Sequence, residues 1–391
     1  MIRNYCFSLI NYLRRHKIRT AIGGILLLWY IFCLPSPLFK EGYATVVESR
    51  EGKLLGGKIA PDGQWRFPER DTVPYKLREA ILAFEDAHFY YHWGVNPIST
   101  AKALLTNLRH GHTVRGGSTL TQQVIRLARK NKARTYGEKL IEAIWATRLE
   151  FRYSKEKILA LYASHAPFGG NVIGADMAAW RYFGVSLEQL SWAEACTLAV
   201  LPNAPGLIFP GHNQNALKKK RDFLLEKLLK NHTIDKTTYE LSLEEPLVER
   251  PHELPNIAPH LVERIARTTP NKRQVTTIDY YLQERVQEVI AKYYRHYKRF
   301  EVHNLCALVV DVQSREVLAY VGNSPTDEQH HKDVNIIHRP RSTGSVLKPF
   351  LYTAMLDSGE LLPQELVGDI PTHIGGYSPE NFENTYEGAV P

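Results

Sequence analysis

Cysteine is scarce. The four in 391 residues, Cys6, Cys33, Cys196 and Cys306, stand too far apart for a disulfide framework or for paired zinc-ligand spacing. Stability must therefore come from packing. No Gly-rich phosphate loop opens a helix, which argues against ATP-dependent or nicotinamide chemistry. Gly 25 and Pro 22 are too few for a collagen-like or elastic repeat, and no internal repeat is evident. With 44% hydrophobic and 23% charged residues the chain is not disordered, and its length suggests two soluble domains. Acid is the other scarcity, in two places. Residues 1–20 carry Arg3, Arg14, Arg15, Lys17 and Arg19 and no acid. Residues 101–139 hold nine cations against one acid, Glu138. The formal net charge is +8, so these blocks stand on an otherwise slightly acidic protein.

Long apolar runs are also few. Ala21 to Leu38 contains no charged residue, and eighteen helical residues would span about 27 Å, close to a bilayer core of about 30 Å. The spacing predicts one transmembrane helix over 21–38, which Pro35 and Pro37 would end early. The basic residues before it belong in the cytoplasm by the positive-inside rule, and the rest of the chain outside it. A cleaved secretory signal is the alternative, but no clear small-x-small site follows the run. This topology also argues against spending the positive charge on nucleic acid.

Short strands and turns are expected over 39–72, with Ala44-Thr-Val-Val-Glu48 and Leu54-Leu55 before Gly56-Gly57. A helical domain should cover 73–235. Its helices are expected from Val73 with Pro74 in the first turn, and over Thr119–Lys132, Gly137–Tyr153, Lys155–Tyr162, Trp192–Leu201 and 217–230. Pro251, Pro255, Pro259 and Pro270 suggest a linker over 236–272. From 273 the texture changes to a helix near Tyr280–Lys298 and a hairpin formed by Leu305–Val312 and Val317–Val321, the opening of an α/β domain.

Leu77, Ile81 and Glu85 recur every four residues, so Glu85 ends an apolar helical face. A carboxylate desolvated there has a raised pKa and suits a general base. The plainer reading is an acid in solvent at a helix end. His88 and His92 lack a third ligand of matching spacing, which argues against zinc. Arg115-Gly-Gly-Ser-Thr-Leu-Thr-Gln-Gln123 crowds hydroxyls and amides at a helix start, where an anion can bind, although one Ser or Thr suffices to cap a helix. Arg126, Arg134 and Lys139 follow, and Glu142 shares a face with Lys139, Trp145 and Leu149.

Together these segments resemble the family 51 peptidoglycan glycosyltransferases. Glu85-Asp86-Ala-His-Phe89-Tyr-Tyr-His92-Trp-Gly94 is similar to their first motif, and Gly117-Ser-Thr-Leu-Thr-Gln-Gln123 to the second. Lys139-Leu-Ile-Glu142 is similar to the third, Ser154 to Tyr162 with Phe168-Gly169 to the fourth, and Ala193 to Pro205 to the fifth. The resemblance implies a mainly α, lysozyme-like glycosyltransferase domain that polymerises lipid II. Glu85 would take the proton of the acceptor's sugar 4-hydroxyl, and Glu142 would be a second acid near the leaving diphosphate. Arg126, Arg134 and Lys139 would bind that diphosphate, with or without magnesium or manganese. Asp86, His92, Ser118, Thr119, Thr121, Gln122 and Gln123 would contact substrate. The implied partners are lipid II, the growing strand, membrane lipids and other cell-wall synthesis proteins, at the cytoplasmic membrane. Residues 98–114 would form a flap touching the bilayer. Three departures stand out: Asn96 for the usual Asp, Glu138 for Arg, and Tyr162-Ala-Ser164 for Tyr-Leu-Asn. A non-catalytic scaffold would usually lack the catalytic acid. A lytic enzyme would leave the basic block unexplained.

Ser342-Thr-Gly-Ser345-Val-Leu-Lys348-Pro349 resembles the Ser-x-x-Lys motif of the penicillin-binding transpeptidases, which implies acylation of Ser345 with Lys348 as its activator. Neither a Ser-x-Asn nor a Lys-Thr-Gly segment follows Lys348. Residues 273–391 are therefore expected to be a partial α/β transpeptidase domain, with negligible penicillin labelling of Ser345.

Overall fold

The computed structural model describes residues 16–110, 116–132, 135–381, 383 and 385–390. Arg134 and Arg115 lie outside the described residues, as does the basic stretch before His16. The chain divides into two compact units, Met1–Ile337 and His338–Pro391.

In chain order the first unit contains helix α1 (Lys17–Phe32), strands β1 (Thr45–Glu48), β2 (Leu54–Lys58) and β3 (Trp65–Arg66), then α2 (Tyr75–Glu85), α3 (Pro97–His110), α4 (Leu120–Ala128), α5 (Tyr136–Glu150) and α6 (Lys155–His165). Strands β4 (Pro167–Gly169) and β5 (Val172–Ile173) lead to α7 (Ala175–Phe183), α8 (Trp192–Val200), α9 (Gln214–Lys230), α10 (Lys236–Glu244) and α11 (Pro259–Thr268). Strand β6 (Arg273–Val275), α12 (Tyr280–Tyr297) and the hairpin β7 (Ala307–Val310) and β8 (Val317–Val321) complete it. The second unit holds a 3₁₀ turn (Gly344–Leu347), α13 (Lys348–Ser358) and the antiparallel pair β9 (Val367–Asp369) and β10 (Gly388–Val390).

The far end of the expected 21–38 helix needs correction. No described helix is long and apolar enough to cross a membrane. The helix ends at Phe32 rather than Leu38, because the Pro35 and Pro37 region cannot extend it. Leu34 and Leu38, read as the far end of the span, are buried in the globular core, as is Phe39 after them. Tyr30 and Arg148 tie the end of α1 to α5: the Tyr30 hydroxyl donates to Thr147 Oγ1 at 3.1 Å, and Arg148 donates to the Ile31 carbonyl at 3.1 Å.

The main core is the apolar faces of α2, α4, α6, α8 and α9, with Leu77, Ile81, Val124, Ile158, Leu198 and Leu224 in one cluster. Helix boundaries follow local chemistry. Pro74 caps α2 instead of entering its first turn, with an extended ψ of 148°. Thr119 caps α4, and the helix stops at Ala128, because Lys130 and Asn131 turn left-handed with φ of 59° and 50°. In α9 the fully buried Arg221 donates to the carbonyls of Glu245 (2.6 Å) and Leu243 (3.4 Å), satisfying the end of α10 with a cation as the helix dipole favours.

Segment 236–272 is not a featureless linker, since it holds α10 and α11. Helix α11 packs Val262 against Val47 and Leu55 in a second small core that includes Ile278 and Tyr320. Above it lies a three-stranded sheet in the order β2-β1-β6, in which β1 and β2 are antiparallel and β1 and β6 parallel.

Candidate active site

The end of α2, the start of α4 and the middle of α5 are locked together by one buried polar network. The Gly94 N–H donates to His92 Nδ1 at 3.2 Å, so His92 carries its proton on Nε2 and donates it to Asp86 Oδ2 at 2.9 Å. The same Asp86 oxygen accepts the Leu120 N–H at 3.0 Å. Thr119 Oγ1 donates to the Gly94 carbonyl at 2.6 Å and accepts the Gln122 N–H at 3.2 Å, while Gln122 Oε1 accepts the Thr119 N–H at 3.1 Å. That reciprocal pair is a capping box. Gly94 has φ of +85°, and a Cβ there would lie 2.6 Å from the backbone of Ala146 on α5, so only glycine permits the approach.

Several of the residues expected to contact substrate have protein partners in this structure. Asp86, His92, Thr119 and Gln122 are buried in this network, not in a groove wall. Thr121 also turns inward, its Oγ1 donating to Glu150 Oε1 at 2.6 Å. The physical reason is that the first N–H groups of a helix need partners, and the nearest hydroxyls and amides satisfy them before any ligand can.

Six of the predicted residues converge. A groove of about 790 Å³ is lined by Glu85, Ser118, Gln123, Arg126, Lys139 and Glu142, with Tyr162 and Asn203 on its walls. Glu85 and Glu142 therefore open onto one space. Gln123 Nε2 donates to Glu85 Oε2 at 2.6 Å. Burial pushes the Glu85 carboxyl above its usual range, and the Gln123 amide and the Arg126 and Lys220 charges only partly offset this.

Glu142 is buried yet pulled the other way. Arg126 grips it with two parallel hydrogen bonds, Nε to Oε1 at 2.9 Å and Nη2 to Oε2 at 3.1 Å. Lys139 Nζ adds a third to Oε2 at 3.0 Å. Burial alone would raise its pKa, but these cations hold the carboxyl below its ordinary value. Both also donate to Ser118 Oγ, Lys139 at 2.7 Å and Arg126 at 3.1 Å.

Much of the basic block is occupied elsewhere. Arg129 forms a bidentate pair with Glu138 at 2.8–3.0 Å and lies over the Trp145 ring at 4.5 Å. Glu138 therefore neutralises Arg129, not Lys139. Lys130 reaches Glu41 at 3.2 Å. Two residues were missed from sequence: Lys220 Nζ donates to Asn203 Oδ1 at 2.9 Å and acts on Glu85 through its charge. Nothing in the run Lys218-Lys219-Lys220-Arg221 distinguishes Lys220, since only packing shows that Arg221 points inward.

Among the described residues no group of three or more His, Cys, Asp or Glu could hold a metal ion. Glu142 has both oxygens engaged by Arg126 and Lys139. In the second unit, Ser345 in the 3₁₀ turn and Lys348 at the start of α13 are one turn apart and exposed.

Residues 56–229 match the Transglycosylase family. The chain is 35% identical over 358 residues to penicillin-binding protein 1C of Escherichia coli (strain K12), covering 91% of this chain and 46% of that protein. It is 28% identical over 367 residues to penicillin-binding protein 1B of Vibrio cholerae, covering 87% and 47% respectively. The chain thus spans a little under half the length of these curated relatives. A crystal structure of penicillin-binding protein 1A from Haemophilus influenzae aligns with 90% of this chain and 58% of that one, at 18% identity and a TM-score of 0.34, which carries no argument about fold. By motif order, family match and identity, the chain is similar to the class A penicillin-binding proteins, with the Transglycosylase match over residues 56–229.

Proposed function

We propose that this chain is a class A penicillin-binding family member, a peptidoglycan glycosyltransferase that polymerises lipid II in the groove between Glu85 and Glu142. The observation that carries the reading is the shared groove, with a desolvated, one-sidedly held carboxylate at one end and a cation pair at the other. Glu85 takes the proton from the acceptor's 4-hydroxyl as that oxygen attacks the anomeric carbon of the lipid-linked strand. The new C–O bond forms on the face opposite the breaking bond, and the lipid diphosphate leaves with the electron pair. Arg126 and Lys139 neutralise the charge that develops there. Glu142 holds those two cations in place. Its depressed pKa supports this role over proton delivery.

Helix α1 has no buried residue and exposes Ile25, Leu26, Leu28 and Phe32. That apolar surface supports a location at the cytoplasmic membrane, with the basic N-terminus on the cytoplasmic side. Ile98 and Leu105 of α3 are likewise exposed and would face lipid, where a lipid-linked substrate arrives.

The test is polymerisation of labelled lipid II by the wild-type chain and by Glu85→Gln. Removing a general base should cost at least about 100-fold in rate. Equal strand output from both proteins would remove Glu85 from the mechanism.

A further inference from the structure

Among the described residues lining the groove, Tyr162 is the one whose buried polar atom is left idle. It projects from α6 and is buried to 2% exposure, yet its hydroxyl has no hydrogen-bond partner in the structure. Buried hydroxyls are almost always paired, so an orphan needs a reason. Its surroundings offer none from the protein. Of the residues that line the groove with it, Ala166, Pro167, Pro202 and Pro205 present no polar side chain, and none of the polar ones bonds the phenol. Glu85, whose charge acts on the phenol, has its Oε2 engaged by Gln123. Tyr162 is among the residues that line the groove, so a molecule that enters it can supply the missing partner.

We propose that Tyr162 positions the acceptor sugar: its phenol donates a hydrogen bond to a hydroxyl flanking the one that Glu85 deprotonates. The proposal rests on the glycosyltransferase reading above and names a further substrate contact within it. Two features fix the direction of the bond. Burial and the nearby Glu85 charge keep the phenol protonated, so it enters the groove as a donor. Glu85 in its working form is acceptor-only and needs the reacting hydroxyl for itself. A donor and an acceptor side by side clamp two adjacent hydroxyls of one ring, which sets the angle from which the reacting oxygen approaches.

The experiment compares wild type, Tyr162→Phe and Glu85→Gln. Each full chain extends a preformed, labelled lipid-linked strand by a single lipid II unit, so the added lipid II acts only as acceptor. Tyr162→Phe removes an oxygen that bonds nothing in the free protein, so its thermal midpoint should equal or exceed that of wild type. Its kcat/KM for acceptor should fall about tenfold, mainly through KM, with the acidic limb of the pH profile unmoved. An acceptor lacking the 3- or the 6-hydroxyl of its terminal sugar should cost wild type a similar factor. For one of the two, the variant should lose nothing further.

A lower thermal midpoint would make Tyr162 a structural residue and overturn the proposal. A shifted acidic limb would make it a tuner of Glu85, with the same consequence. Full additivity with both deoxy acceptors would also overturn it. Undiminished activity of Glu85→Gln would instead remove the parent reading, and so separates that failure from this one.

Discussion

The two ends of the groove hold the same side chain in opposite circumstances. Glu85 finishes an apolar helical face and receives one neutral amide, whereas Glu142 is gripped by a guanidinium and an ammonium. One carboxyl is therefore raised and the other lowered. Burial pushes both upward, so the difference lies in what replaces the lost water. A dipole leaves a base with affinity for protons, while two cations make a carboxylate into a fixed counter-ion. Pairs of acids whose environments drive their pKa values apart divide the chemical labour between them.

The largest effect that would break this contrast is that of Glu85→Gln, a loss of at least about 100-fold in the rate of strand growth. Next, Arg126→Lys keeps a charge beside Glu142 but loses the two-pronged grip. We expect kcat/KM to fall about 10- to 100-fold, with the thermal midpoint within a few degrees of wild type. Unchanged turnover would mean that the cationic end does not touch the leaving group.

A smaller effect sharpens the other end. Gln123→Leu removes the donor that favours ionised Glu85, so the raised pKa should climb further. Activity depends on the ionised base and is lost as pH falls through that pKa. The acidic limb of kcat/KM should accordingly move to higher pH, with activity lost at neutral pH and recovered in alkali. A limb that stays in place would detach it from Glu85. The linkage to stability has opposite signs at the two sites. Ionised Glu85 burdens the fold above its raised pKa and is relieved on acidification. Glu142 stabilises the fold above the unfolded carboxylate pKa, and that contribution is lost as pH falls through its depressed value.

The smallest effect belongs to the scaffold. Thr119→Ala removes the cap of α4 and the bond to Gly94, and should cost about 1 kcal/mol in urea unfolding. A neutral result would show that Gln122 alone holds that helix start.

Glu85, Arg126, Lys139 and Glu142 are legible in the amino-acid sequence, because helical periodicity and charge clustering place each on a face or in a block, whereas Gln123 is picked out only by its motif. The roles of Thr119, Thr121 and Gln122 are not. A hydroxyl at a helix start can serve the helix or a ligand, and only tertiary packing decides which. Helix identity is readable, but helix ends are less so. Lys130 and Asn131 read as ordinary helical residues, yet the chain turns left-handed there. The apolar run over 21–38 misleads for a related reason, since hydropathy does not distinguish Leu38 facing lipid from Leu38 facing a protein core. Lys220 carries no signal at all within its run of cations.

One feature of the fold reaches beyond the groove. Strands β1 and β6 run side by side although residues 49–272 lie between them, and Arg273 is pinned to both Glu48 and Asp176. The residues between them therefore leave and rejoin this sheet at adjacent points. A pull applied at Glu48 and Arg273 is borne across that pairing before it reaches the residues between them, Glu85 and Glu142 included.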